Sequence, residues 1–226
     1  MPIFGAERSV GSLRGWIWAA GIGFVAILVV QGMHDKKTPP ADAGSGAAAV
    51  ALAKVSVRQG TSISGYSRAQ FGPAWADVNK NYCDTRDDVL ARDLKDIKRA
   101  TNRCTVLSGV LADPYTGTSI HFTRGIKTSN LVQIDHRVPL AWAWTHGAQS
   151  WSSAQRERFA NDPINLRAVS GPSNEAKGDK GPTEWMPPNK DYACLYDSKF
   201  VDVLVRYHLS IDSSDKQTMS KRLASC

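Results

Sequence analysis

A chain of 226 residues with 42% apolar and 22% charged side chains is long enough for one globular core and too short for two large domains. Its formal charge of +7 favours polyanionic partners, because each Lys or Arg beside a phosphate displaces a condensed counterion. Charge alone equally fits an ordinary basic surface.

After Arg8 and Arg14, an uncharged run from Gly15 to Met33 contains WIWAAGIGFVAILVV. At about 1.5 Å per residue it nearly spans a hydrocarbon core. Residues 1–35 are therefore read as the signal peptide or membrane anchor of an exported chain. The Ala-rich ADAGSGAAAVALA that follows leaves cleavage open, and the expected orientation places the rest of the chain outside. Residues 36–62 are rich in Ala, Gly, Ser and Pro, which predicts a flexible tether. The folded domain is expected over 63–226, with the first aromatics in YSRAQFGPAWADV from Tyr66.

Val89, Leu90, Leu94 and Ile97 lie at helical spacing, which predicts an amphipathic helix from Thr85 to Ala100. Short strands follow from Cys104 to Leu111 and from Ser119 to Thr123, separated by DPYTG, whose Pro114 and Gly117 mark a turn. LVQI, Leu131 to Ile134, is a strand running into Asp135 and His136, and Pro139 prevents its simple continuation. LAWAWTHG and SSAQRERFAND read as two short helices, the second capped by Ser152 or Ser153. Asn165 to Val169 is another strand, SNEAKGDKG opens a helix with Ser173 as its cap, and Phe200 to Leu209 is a closing helix. Trp142 and Trp144 sit in an apolar helix and are assigned to the core.

Cys83, Cys104, Cys194 and Cys226 form an even set with no CxxC pair, as exported chains show when they oxidise their thiols. Three pairings are open. Cys83 with Cys104 and Cys194 with Cys226 is preferred, since each closes a local loop that stabilises by about 3 kcal/mol.

Adjacent residues of an extended segment point to opposite sides, so Asp135 and His136 serve one site only if the strand bends at its end. Asn174 and Lys177 lie three apart and share a helix face. Together DHRVPL, NDPINLRAVSG and SNEAKGDKGP, running from Asp135 to Pro182, resemble the HNH, or His-Me finger, endonuclease pattern of D-H-x-x-P, then N-L, then N-x-x-K-G. With FGPAWADV, CDTRDDVL, DPYTG and the terminal cysteines, the wider chain is similar to exported actinobacterial-type members related to the nuclease domain of modification-dependent restriction enzymes.

The resemblance implies an α+β domain around a ββα-metal core, with added helices and short strands. In it His136 is the general base, and Asp135 and Asn174 hold one divalent cation, Mg²⁺ or Mn²⁺. Asn165 braces the loop that carries the base. Lys177 and Arg137 are expected on substrate phosphates, with Lys180 and Arg124 as further candidates. The implied activity is metal-dependent hydrolysis of nucleic-acid phosphodiesters, DNA before RNA, leaving 5′-phosphates. The insertion between Pro139 and Asn165 departs from the usual short loop, and no cysteine pairs flank the motif to hold structural zinc. Two other roles fit the residues: a non-catalytic, surface-tethered nucleic-acid-binding protein, or a secreted antibacterial effector, which would have an immunity protein as its partner.

Overall fold

The computed structural model describes residues 43–226. The expected signal or anchor segment lies outside the described residues. Among those described, no helix is long and apolar enough to cross a membrane.

The fold is α+β, with seven α-helices and two small antiparallel sheets among the described residues. From Ala43 onward the expected tether is replaced by helix α1 (Ala43–Lys54). Alanine is the strongest helix former, and this helix buries Ala48 and Leu52, with Val55 just after it, in the larger of two cores. It packs on α6 (Ala193–Tyr207) and α7 (Ser213–Ala224). The same core holds Trp142 and Trp144 of α3 (Leu140–Thr145) and Phe159 of α4 (Ser153–Ala160). Ser152 caps α4 through a capping box with Gln155. The closing helix α6 begins at Ala193, well before the expected Phe200, and α7 has no counterpart in the sequence reading. Cys194–Cys226 ties the end of the chain to the start of α6.

The smaller core lies under α2 (Thr85–Asp93) and joins Val89, Leu90 and Leu94 to Val106, Leu111, Phe122, Ile134 and Leu166. Asp84 caps α2 by accepting the Asp87 backbone N–H at 2.7 Å. The helix expected to reach Ala100 stops at Asp93. That carboxylate accepts from Arg92 and Arg167 and from the backbone N–H of Ala168. Beyond it, Leu94–Arg99 becomes strand β1, pairing with β2 (Val106–Ala112), which in turn pairs with β3 (Ser119–Thr123). The irregular β1 register and the left-handed Asp96 (φ 51°) mark where sheet pairing overrides the helical pattern. Cys83–Cys104 closes the loop that begins just ahead of α2, so both preferred pairings are formed.

Strand β4 (Val132–His136) pairs antiparallel with β5 (Leu166–Ser170), setting Asp135 opposite Arg167 and His136 opposite Leu166. The chain passes from β5 directly into α5 (Gly171–Lys177). Helices α3 and α4 fill the insertion between the two strands.

Candidate functional site at the end of the β4–β5 hairpin

The last two residues of β4 are both buried, and both line one cavity of about 230 Å³ together with Asn174 of α5. Both residues belong to β4, and the chain bends just after them, at Arg137 and Val138. Pro139 and Leu140, at the start of α3, close another wall. The adjacent pair Asp135 and His136 is thus brought together with Asn174, far along the chain.

Both oxygens of the Asp135 carboxylate are engaged. Lys177 Nζ donates to Oδ1 at 2.7 Å and to the His136 carbonyl at 2.6 Å, and the Tyr115 hydroxyl donates to Oδ2. Lys177 is wholly buried, and loss of hydration lowers its pKa while the Asp135 charge beside it pulls the other way. Burial, reinforced by that same carboxylate, raises the Tyr115 pKa well above the ordinary phenol, so the hydroxyl remains a donor.

His136 Nε2 lies 2.8 Å from the Ala160 carbonyl. A carbonyl can only accept, so Nε2 carries the hydrogen and Nδ1 keeps the ring's lone pair. Burial is the main cause of a pKa lowered to about 4, and the Arg68 and Lys177 charges act in the same direction. The imidazole is therefore neutral at pH 7. The Trp75 ring lies within 14° of parallel to it, with centroids 6.3 Å apart.

Asn165 is fully buried, and its amide spans one residue of the loop after the Asp-His pair. Oδ1 accepts from Val138 N at 2.9 Å and Nδ2 donates to Val138 O at 3.2 Å. On α5, Asn174 donates Nδ2 to Gln133 Oε1 at 2.8 Å, leaving Oδ1 for another partner. The cap of α5 is Ser170 rather than Ser173. Pro172 is compatible with a helix start and lets the helix begin directly at the strand end.

Lys177 and Arg137, expected on substrate phosphates, are both inside. Arg137 is 7% exposed, and its Nη1 donates to the carbonyls of Ile164 and Leu166. As placed, neither presents its charge to an external phosphate. Arg124 forms an ion pair with Asp87 and also donates to Val106 O, while Lys180 stays exposed with Nζ on the Ala176 carbonyl. The cation that does reach the cavity is Arg68, exposed and without an ion-pair partner among the described residues. It sits in YSRAQFGPAW, where nothing in the sequence separates it from other surface arginines. Tyr115 was legible only as part of a turn.

The donors suit a hard divalent cation. Each Asp135 oxygen has a lone pair beyond the one it shares with Lys177 or Tyr115, and the free Asn174 Oδ1 belongs to a residue of the same cavity. Among the described residues no cluster of three or more His, Cys, Asp or Glu offers an alternative metal site.

Residues 84–222, more than half of the chain, match the family model described as GmrSD restriction endonucleases, C-terminal domain. The chain is also 37% identical over 203 residues to an uncharacterized secreted protein of Arthroderma benhamiae, covering 89% of this chain and 95% of that protein. No solved structure matches it. The matched region contains β4, β5, α5 and every residue placed in the site except those of the Arg68–Trp75 segment, and the chain belongs to the family of GmrSD restriction endonuclease C-terminal domains.

Proposed function

We propose that the chain is an exported, metal-dependent HNH-type endonuclease that hydrolyses phosphodiester bonds in nucleic acid, DNA foremost. The observation that carries this reading is His136: a neutral imidazole held by its Nε2–H on Ala160, with Nδ1 unprotonated, beside Asp135 and Asn174. Family membership supplies the link to nucleases.

His136 acts as the general base, taking a proton from water at Nδ1 while its other nitrogen stays fixed. Asp135 and Asn174 would hold Mg²⁺ or Mn²⁺, which supplies charge stabilisation at the phosphate. Lys177 and Tyr115 orient the Asp135 carboxylate through its two oxygens. Asn165 holds the Val138 segment and so fixes the backbone after the base. Arg68 is the exposed cation that meets substrate phosphate. Export is supported by the two disulfides, by the apolar run ahead of the described residues, and by the description of the relative as secreted.

The purified full chain should nick supercoiled plasmid in Mg²⁺ or Mn²⁺ and not in EDTA, with His136→Ala inactive but folded. If wild type and variant both bind the plasmid and both leave it intact, the chain is a nucleic-acid-binding protein on the same scaffold.

A further inference from the structure

A second cavity, of about 250 Å³, lies against His136, and the two cavities share Arg68, His136 and Leu140. Its walls are largely apolar, from Phe71, Pro73, Trp75 and Ala160. The volume falls below the roughly 300–1,000 Å³ typical of sites for drug-sized ligands, so it suits one small group. Trp75 is half-buried and supplies an aromatic wall near-parallel to the imidazole. Asn161 also lines this cavity. It is 1% exposed, its Nδ2 donates to the Glu157 carbonyl, and its Oδ1 has no partner. A buried acceptor left unpaired is costly.

Building on the nuclease reading of the adjoining site, we propose that this cavity is a base subsite: it takes one unstacked nucleobase of the substrate strand, next to the phosphate held at Arg68. The base stacks on Trp75. Every base has a π face, so such a subsite favours unpaired nucleic acid without demanding one sequence. A paired duplex must first release the base, at a cost of a few kcal/mol; the protein should therefore bind single strands more tightly than duplex of equal length.

The test compares a short single-stranded oligonucleotide with a wholly abasic strand of the same length and charge. Binding to the full chain is followed by fluorescence anisotropy in EDTA. Wild type should bind the intact strand about tenfold more tightly. Trp75→Ala should bind both strands as wild type binds the abasic one. Removing bases from the ligand cannot unfold the protein, so the wild-type comparison stands even if the variant is unstable. The subsite is overturned if wild type binds neither strand or binds both alike, or if Trp75→Ala weakens both in the same proportion. Plasmid nicking with equal binding of the two strands refutes the subsite alone. Base-dependent binding without nicking refutes catalysis alone.

Discussion

Lys177 Nζ and Asp135 Oδ1 form an ion pair 2.7 Å long, with the two side chains 0% and 4% exposed. A lysine on the apparent surface of a short helix is instead the internal counter-charge of the carboxylate expected to bind metal. It also holds the His136 carbonyl, so one ammonium fixes both residues of the Asp-His pair.

Removing one member of a buried pair leaves the other charge uncompensated, typically at about 3–5 kcal/mol. Lys177→Met should lower the urea unfolding free energy by that amount and abolish cleavage. The double variant Asp135→Asn/Lys177→Met should regain much of the stability and none of the activity. A stable, active Lys177→Met would show that the ammonium orients nothing.

Asn165→Ala strips both bonds from Val138. Leaving buried backbone groups unpaired costs about 1–3 kcal/mol, and the loop after the base is freed. Denaturation should show a loss in this range, accompanied by a fall in kcat exceeding any change in nucleic-acid affinity. An affinity loss with kcat intact would place Asn165 at the substrate instead.

Burial brings the His136 pKa from 6.5 to about 4. Between these values the unfolded chain takes up a proton that the folded chain refuses, so this group's stabilising contribution is complete above pH 6.5. It falls as the pH drops and is lost by about pH 4. At about 1.4 kcal/mol per pH unit the loss is about 3 kcal/mol. Urea midpoints measured in EDTA from pH 7 to 4 should fall more steeply for wild type than for His136→Asn. Parallel curves would mean that the imidazole is hydrated.

The cross-links enclose sequence separations of 21 and 32 residues. In the chain-entropy model each contributes about 3–4 kcal/mol. Cys194→Ser/Cys226→Ser should therefore lower the unfolding free energy by that much and loosen α7, seen as faster amide exchange there. Unchanged exchange in α7 would show that its noncovalent contacts, from Met219 and Leu223 to the Arg222–Asp197 ion pair, hold it without the cross-link.

The site was legible where local chemistry and order coincide. Pro139 stands at the start of α3, Ser152 caps α4, and the Asp-His and Asn-x-x-Lys-Gly motifs hold the residues that share the cavity. What escaped is tertiary. Lys177 on a polar stretch reads as a phosphate contact, and only folding places Asp135 over it. Tyr115 belongs to a turn whose partner lies twenty residues on. The helical spacing of Leu94 and Ile97 is genuine, yet edge pairing with β2 converts that segment to strand. Ala43–Lys54 is poor in large apolar residues, but Leu52 and small alanines suffice where α6 and α7 offer a ready surface.

The most direct measurement is the single-turnover nicking rate of plasmid DNA by wild type and His136→Ala at saturating protein, in Mg²⁺ and in Mn²⁺. A positioned general base contributes about 10²–10⁴-fold, so the variant should be slower by at least about a hundredfold in both metals while binding DNA normally. Rates within a few-fold of each other would contradict the assignment of His136 as the base.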